Sequence, residues 1–292
     1  ADVEKLSMRA TMKQFARMED NDGSLFAATR RRKREGGLSG GEGTSGARYG
    51  RFRAPRDGMQ TWIDRLADHV RPRSMQLNSR IGSVVKTDRG WKLNANDEYY
   101  DAVVFATPPH VSARLCQDFA PEVGAELAGI ESASTAIIVM GIQKDKIAKN
   151  IDTFGLVVPP MENRQVLACS FASHKFPNRA PDDAVLLRAF LGGATQPQVL
   201  DSTDEQLVDI ACRDLRDIIG LQSEPEMVRV FRWNEAMPQY HVGHLERTAK
   251  IESMVSDHPG LKLAGNGLHG VGLAVVVKNA AAIAAELLGS EV

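Results

Sequence analysis

The sequence contains little cysteine. Its three thiols, Cys116, Cys169 and Cys212, are spread over a chain of 292 residues. Thiols so few and so scattered can build neither a disulfide framework nor a zinc site. We therefore expect reduced cysteines in the core of a cytoplasmic protein that holds no metal.

A strong excess of charge and a long apolar run are also missing. The 36 lysines and arginines nearly balance 37 aspartates and glutamates, for a formal net charge of −1. This balance indicates no nucleic-acid partner. The longest apolar stretch, Val271 to Leu288, is interrupted by Lys278, Asn279 and Glu286. It is not a membrane span, which needs roughly 20 predominantly apolar residues.

The composition is otherwise ordinary for a soluble globular protein, with 43% hydrophobic residues. This content is enough for one large domain or two modest ones. The opening residues, ADVEKLSMRATMKQF, include neither an initiator methionine nor the apolar region of a signal peptide. We therefore expect this stretch to lie inside a longer chain.

Strand patterns dominate the middle of the chain. Residues 134 to 192 contain several short apolar runs without obvious crossover helices between them, which predicts a mostly antiparallel sheet. Ser202 precedes Glu205 by three residues, a capping box that predicts the start of the next helix. The class is mixed α and β.

Other elements are predicted on both sides of this sheet. The run MQLNS (75–79) predicts a strand, and DAVVFAT (101–107) predicts a buried one. Residues 58 to 70 predict an amphipathic helix, with apolar side chains at helical spacing. The final helix is predicted from about Gly270 to Leu288.

Two hexapeptides match the dinucleotide pattern G-x-G-x-x-G: GEGTSG (41–46) and GNGLHG (265–270). The pattern binds a pyrophosphate only where a strand precedes it and a helix follows. GEGTSG lies in a glycine- and serine-rich loop without either element, so we reject it. The loop also contains GLSGG, but for the same reason we reject Ser39 as a hydrolase nucleophile.

GNGLHG has the context that GEGTSG lacks. The strand pattern LKLA precedes it, and the helix-forming run VGLAVVVKNAAAIAAELL follows. No second strand and no acidic ribose partner come after it, which excludes a complete Rossmann unit. Two interpretations stay open: a helix start that offers backbone donors to a ligand, and a plain helix start with close strand–helix packing.

Several stretches resemble one family in the same order along the chain. LAGNGLHGVGL is similar to the closing motif of the flavin-dependent amine oxidase superfamily, and more closely to that of the FAD-containing protoporphyrinogen and coproporphyrinogen oxidases of haem synthesis. DGMQTWIDRLA, DAVVFATPPHVSARL, FASHKFPNRAPDDAVLLRAFLGGA and RWNEAMPQYHVGH also resemble motifs of these oxidases. The resemblance covers essentially the whole chain.

The resemblance implies FAD as cofactor and positions for its contacts. Val271, Gly272 and Leu273 correspond to backbone that contacts the flavin, in the segment that opens at Gly265. Trp233 corresponds to a tryptophan beside the cofactor, although its pattern alone favours a core residue. Ile81 corresponds to a valine that bonds the adenine end through its backbone. No matched motif contains a catalytic base, so the catalytic residues stay unknown.

The resemblance also implies a fold and an activity. The fold class is α/β (α+β), a partial FAD-binding amine-oxidase-like fold with a mostly antiparallel substrate sheet. The family's N-terminal dinucleotide fingerprint is missing. The implied segments are a helical tail and loop (1–57), an FAD-domain segment (58–115), the substrate sheet (116–232) and a second FAD-domain segment (233–292).

The implied reaction is oxidation of a porphyrinogen, protoporphyrinogen IX or coproporphyrinogen III, to the porphyrin with oxygen as acceptor. The alternative is a non-catalytic fragment or subunit that binds porphyrin or a partner. A cytoplasmic location, a peripheral membrane contact and a homodimer are compatible with the resemblance.

Some polar residues keep two interpretations. Arg188, within the apolar run 184–190, is either surface decoration of a strand or an anchor for a carboxylate. His269 either bonds a ligand or is satisfied within the structure. His241 and His244 are spaced like metal ligands, but the Val-Gly spacer indicates a turn. The run RRRKR (30–34) is either a solvated face or a site for an anionic membrane or substrate.

Overall fold

The computed structural model of the protein describes residues 1–34, 54–70 and 74–289. Both rejected motifs, GEGTSG and GLSGG, lie outside these residues. The helices are α1 Met8–Thr11, α2 Lys13–Asp22, α3 Leu25–Arg34, α4 Met59–His69, α5 Pro109–Cys116, α6 Pro121–Ala128, α7 Ala172–Lys175, α8 Asp204–Ile219, α9 His244–Ser256 and α10 Leu273–Leu288. The strands are β1 Val84–Thr87, β2 Gly90–Leu93, β3 Val103–Phe105, β4 Ser132–Gln143, β5 Gly155–Val157, β6 Val166–Phe171, β7 Ala184–Gly192, β8 Met227–Pro238 and β9 Leu261–Leu263.

The chain forms two compact units. Unit 1 comprises Tyr49–Ser79 and Ala133–Met237, and unit 2 comprises Asp2–Arg48, Arg80–Ser132 and Pro238–Val292. The segmentation at residues 57, 115 and 232 that the resemblance implies stays a prediction about domains.

Unit 1 is built on a five-stranded sheet in the order β5-β6-β7-β4-β8. The pairs β5–β6, β6–β7 and β7–β4 are antiparallel, as the sequence predicts. Alternate residues of β4 and β7, such as Ile138, Met140 and Leu187, are fully buried against α8. The residues between them are only half-buried, so the sheet has one closed and one open face.

The helix α8 begins one residue later than the sequence predicts. Its capping box pairs Thr203 with Gln206, and Ser202 instead ends a short 3-10 turn. Both pairs have the required spacing. The tertiary structure selects Thr203, because the Ser202 carbonyl accepts a hydrogen bond of 2.6 Å from Arg232 on β8.

A buried carboxylate joins α8 to the sheet. Asp214 is almost fully buried and accepts hydrogen bonds from the backbone N–H groups of Gln165 and Val166, at 2.8 and 2.9 Å. Both donors lie where β6 begins, next to an irregularity in its pairing with β7. The carboxylate satisfies backbone groups that the irregular ladder leaves without strand partners.

Unit 2 contains a parallel strand pair and a small hairpin. β3 pairs with β9, with Val103 opposite Leu261 and Phe105 opposite Leu263. The hairpin β1–β2 carries Trp91, which is buried and donates its indole N–H to the Pro259 carbonyl at 3.2 Å. The core of unit 2 therefore connects the hairpin to the turn that precedes β9.

Three local predictions need correction. Residues 75–79 are not a strand, because Asn78 has a left-handed backbone (φ 56°) and Leu77 is exposed. The helix predicted at 58–70 is present as α4, but none of its residues is buried. The last helix begins at Leu273 rather than Gly270. No helix within the described ranges is long and apolar enough to cross a membrane.

Candidate cofactor site at the closing glycine turn

The segment GNGLHG forms the turn between β9 and α10. β9 is aligned by its pairing with β3, and the Ala264 N–H continues that pairing with a bond to the Phe105 carbonyl at 2.8 Å. The chain then turns through two glycines with positive φ, Gly265 at 102° and Gly270 at 145°. These backbone conformations favour glycine, which explains the first and last positions of the motif.

Tyr240 fixes this turn at two points. Its hydroxyl lies 2.5 Å from the Asn266 carbonyl oxygen, to which it donates. The hydroxyl oxygen of Tyr240 in turn accepts the N–H of Gly270 at 2.8 Å. One buried side chain thus holds both ends of a five-residue stretch of the turn.

His244 holds the middle of the turn. Its Nε2 lies 2.8 Å from the Leu268 carbonyl oxygen, so this nitrogen carries the proton. Its ring stacks on Tyr240 with centroids 3.8 Å apart and planes 11° from parallel. The two stacked rings form one clamp, which we call the Tyr240–His244 clamp.

The protonation states of the clamp suit these contacts. Burial raises the pKa of Tyr240, so its hydroxyl stays protonated and can donate. Burial lowers the pKa of His244, which keeps the imidazole neutral at physiological pH. The neutral clamp therefore orients the turn without adding a charge to it.

Gly267 is small for a packing reason. A Cβ added at this position would lie 2.8 Å from Pro109 Cγ, in the first turn of α5. The proline ring is rigid, so the turn and α5 approach this closely only because residue 267 has no side chain. The glycine at position 267 of GNGLHG is therefore explained by close packing within unit 2.

We expect Gly267→Ala to lower the free energy of unfolding by about 1–2 kcal/mol, because the new methyl group overpacks against Pro109. Gly272→Ala is the matched control, since a Cβ there meets nothing within 4 Å. Its φ of −74° is allowed for alanine, and the lower entropy of the unfolded alanine chain offsets the poorer N-cap, so we expect a net change below about 0.5 kcal/mol. Urea denaturation of both variants tests this difference, and equal losses of stability would contradict it.

The start of α10 is exposed and uncapped. Val271 and Leu273 are 61% and 52% exposed, and the N-cap Gly272 offers no side-chain hydrogen bond. The N–H groups of residues 271–274 have no acceptor in the part of the chain that the structure describes. The first turn also lacks an acidic residue. It therefore presents free donors and a partial positive charge.

Ile81 lies in a loop before β1 that Asn94 organises. The Asn94 side chain accepts the N–H of Gly82 at 2.7 Å and donates to the Arg80 carbonyl at 3.0 Å. These bonds occupy backbone on both sides of Ile81. The Ile81 amide itself has no partner among the described residues, and its side chain is 36% exposed. Its contact with the adenine end stays a prediction.

Trp233 is not a core residue. It lies on β8 in unit 1, and its side chain is 54% exposed. The interpretation from its pattern alone was therefore wrong, and the role beside a cofactor stays a prediction.

The remaining histidines of the motifs have partners within unit 2. His269 Nε2 lies 2.7 Å from Glu252 Oε1, which favours the interpretation as a satisfied side chain. His241 Nδ1 lies 3.8 Å from Glu131, whereas His244 contacts the turn. In the described ranges no group of three or more histidines, cysteines and acids could hold a metal ion.

A cavity of about 330 Å³ lies beside the turn, further along α10. Gly265, Leu268 and His269 line it together with α9, β9 and α10. Its charged groups are already paired, Lys262 with Glu286 and His269 with Glu252. Its lining residues on α10 begin at Asn279, so the cavity does not include the free donors at the start of that helix.

Sequence reasoning overlooked the clamp. Tyr240 and His244 occur in the quoted motif RWNEAMPQYHVGH, but their contacts are with residues 24 to 30 positions later. The sequence did contain one indication: the large aromatic residue Tyr240 lies shortly before Gly243, the glycine at which α9 begins. Such a residue must bury its ring and find a partner for its hydroxyl.

Comparison with known proteins matches nearly the whole chain to one family. The family model for flavin containing amine oxidoreductase matches residues 1–287. The coproporphyrinogen III oxidase of Bacillus subtilis is 27% identical over 281 residues, which are 93% of this chain and 58% of that protein. The chloroplastic protoporphyrinogen oxidase of Nicotiana tabacum is 25% identical over 320 residues, covering 99% of this chain and 56% of that protein.

A solved structure shows the same fold. The "Putative protoporphyrinogen oxidase" of Exiguobacterium sp. 255-15 is 26% identical, with a TM-score of 0.80 over 98% of this chain and 60% of that one. This likeness confirms the predicted fold class. The chain spans somewhat under two thirds of the length of each of these relatives.

Proposed function

The chain belongs to the flavin-containing amine oxidoreductase family, and from this membership we propose that it serves an FAD-dependent porphyrinogen oxidase of haem synthesis. The reaction removes three pairs of electrons from a porphyrinogen, of the protoporphyrinogen or coproporphyrinogen type, and delivers them to oxygen. Relatives named for these activities match nearly the whole chain, which supports the proposal.

The observation that carries the proposal is the free, exposed start of α10. FAD supplies the electron-accepting ring when it is bound. Val271, Gly272 and Leu273 fit one edge of that ring, because their N–H groups have no acceptor among the described residues and the first turn of α10 carries no acidic residue. Donors fixed in advance stabilise negative charge on a reduced ring without reorganisation. The Tyr240–His244 clamp fixes these donors by holding the turn before them.

The open face of the sheet in unit 1 suits a large planar substrate. Phe190 on β7 lies opposite Ala168 and Ile137 in the register of the sheet. These residues belong to a largely apolar surface, which also contains a hollow of about 320 Å³ lined by Val157, Ser170 and neighbours on β5 to β7. We propose that this surface binds the macrocycle and shields one side of it from water.

We assign no general base. His269 is the titratable residue inside the glycine turn, and it is paired with Glu252. The proposed work of this chain is therefore to orient cofactor and substrate and to place donors, while the redox chemistry belongs to the cofactor.

A peripheral membrane contact is part of the proposal and rests on α3. This helix carries the exposed Phe26 about one turn before Arg30, where the basic run begins. An apolar side chain next to arginines is suited to an anionic lipid surface. We also propose that the protein forms a homodimer, and sedimentation of the purified chain tests this directly.

The test is whether the chain takes up FAD through the amides of α10. We expect purified protein to quench the fluorescence of added FAD, and Leu273→Pro to weaken that binding about tenfold, because proline removes one donor. Proline is favoured at the first helical position, and Gly272 already has the extended backbone that a following proline requires. The helix should therefore remain intact in this variant, as circular dichroism can verify.

The outcomes separate the candidate functions. FAD-loaded protein that converts a porphyrinogen to a fluorescent porphyrin in air supports the oxidase. Protein that binds porphyrin but no FAD identifies the non-catalytic binding module. Protein that binds neither contradicts the proposal, as does equal FAD affinity of the wild type and Leu273→Pro.

A further inference from the structure

Two arginines on the open face of the sheet in unit 1 have no acidic partner among the described residues. Arg188 lies on β7 and Arg229 on β8. Neither guanidinium forms an ion pair with a carboxylate anywhere in the ranges that the structure describes. The Arg229 side chain bonds the neighbouring Val228 carbonyl at 3.1 Å, and Arg188 lies over the Phe190 ring at 5.5 Å.

The sheet register places the two arginines on the same face. Arg188 is directly opposite Val139 on β4, and both are half-buried. On the other side of β4, the Glu226 N–H bonds the Gly141 carbonyl at 2.9 Å, and a Cβ on Gly141 would lie 3.3 Å from Met227 Cβ. Gly141 and Met227 are therefore cross-strand neighbours on the open face.

The alternation of side chains along β8 places Arg229 on the open face. It lies two residues after Met227 and so shares its face, because side chains of a strand alternate with period two. Its neighbours Val228 and Val230 confirm this, since both pack against the core on the closed face. The Glu226 N–H bonds Gly141 near one end of β8 and the Gln239 N–H bonds Glu131 near the other, so β8 runs antiparallel to β4. Arg229 is thus beside Val139, with Arg188 on the opposite side of the same residue.

A third arginine shows the contrast. Arg232 points to the closed side, where it bonds the Asp204 carboxylate and the carbonyls of Leu200 and Ser202. Each of its three guanidinium nitrogens donates a hydrogen bond within the protein. Those of Arg188 and Arg229 are largely unused, although guanidinium groups match carboxylates in bidentate geometry.

We propose that Arg188 and Arg229 bind two carboxylates of a planar aromatic polyacid lying on the open face. The inference rests on the proposed function and adds the residues that recognise the acid groups. The two arginines are two strands apart, about 10 Å at a spacing of about 4.8 Å per strand. An apolar macrocycle placed between them covers Val139 and Ile137, while acid side arms reach outward to the guanidinium groups.

The arrangement makes carboxylate recognition specific to this face. Apolar and aromatic neighbours such as Phe190 exclude water from one side of each ion pair, which strengthens it relative to a fully exposed pair. Arg188 and Arg229 are positioning residues, because they contact the acid arms and not the carbons that are oxidised.

The test uses coproporphyrin III as a fluorescent probe with the full chain, and Arg188→Gln, Arg229→Gln and the double variant. We expect each single variant to weaken binding about tenfold, and rising salt to weaken wild-type binding. Arg213→Gln is the matched control: it removes one charge from α8, on the closed side, where Arg213 bonds Gln165. It should leave the affinity for the probe unchanged.

The tetramethyl ester of the same porphyrin, in the same non-ionic detergent, tests the charge directly. We expect it to bind the wild type and all three arginine variants equally. Equal binding of the free acid by wild type and variants would overturn the arginine assignment and leave the oxidase proposal standing. Failure of the wild type to bind either porphyrin would instead contradict the proposed substrate surface.

Discussion

Replacing Tyr240 by alanine should lower the free energy of unfolding by about 3–5 kcal/mol, the loss typical of a buried large side chain. Tyr240→Phe should cost about 1–3 kcal/mol, because it keeps the ring stacked on His244 but removes the hydroxyl that bonds the Asn266 carbonyl and the Gly270 N–H. Urea denaturation measures both changes.

The site of the effect can be located by hydrogen exchange. In Tyr240→Phe the amide of Gly270 has lost its acceptor, so we expect it to exchange about tenfold faster or more. Tyr99→Phe is the control, since the Tyr99 ring is exposed and the side chains of Arg89 and Lys92 lie over it, far in sequence from the turn. Unchanged exchange at Gly270 in Tyr240→Phe would show that the clamp does not hold the turn.

The second large effect is expected from Leu273→Asp in the FAD-loaded protein. An aspartate at the first helical position stabilises the helix by about 0.3–1 kcal/mol, because it complements the positive end of the helix dipole. The same carboxylate would repel negative charge on a reduced flavin ring. We expect reduced FAD to bind about 1–3 kcal/mol more weakly relative to oxidised FAD.

The change is measured as a midpoint potential. For a two-electron couple it corresponds to a shift of roughly 20–60 mV to more negative values. Leu273→Asn is the matched control, because it has the same shape as the aspartate and no charge. If Asp and Asn shift the potential equally, the start of α10 does not face the flavin ring.

Much of the fold follows from local patterns. The strand–glycine turn–helix order at the end of the chain is evident from LKLA, GNGLHG and the alanine-rich run, and the structure has β9, the turn and α10 in those places. The antiparallel sheet of unit 1 is likewise predicted by apolar runs that lack crossover helices. These patterns depend on near neighbours in the chain, which is why they can be recognised in a single sequence.

Predictions failed where a distant residue decided between local alternatives. Ser202 and Thr203 both satisfy the capping pattern, and Arg232 on β8 made the choice by bonding Ser202. The alternation in MQLNS suggests a half-buried strand, yet its residues pair with no strand among those described and Leu77 is exposed. Trp233 has a core-like pattern, but it lies on the open face of its sheet.

The sequence by itself therefore determined the class of the protein, the order of its elements and the glycine turn before the last helix. Only the tertiary structure decided what that turn is attached to and which polar groups are free. The Tyr240–His244 clamp, the pairing of His269 with Glu252 and the shared face of Arg188 and Arg229 all join residues far apart in the chain. Such contacts depend on sheet register and packing, and these are set by many residues together rather than by any short motif.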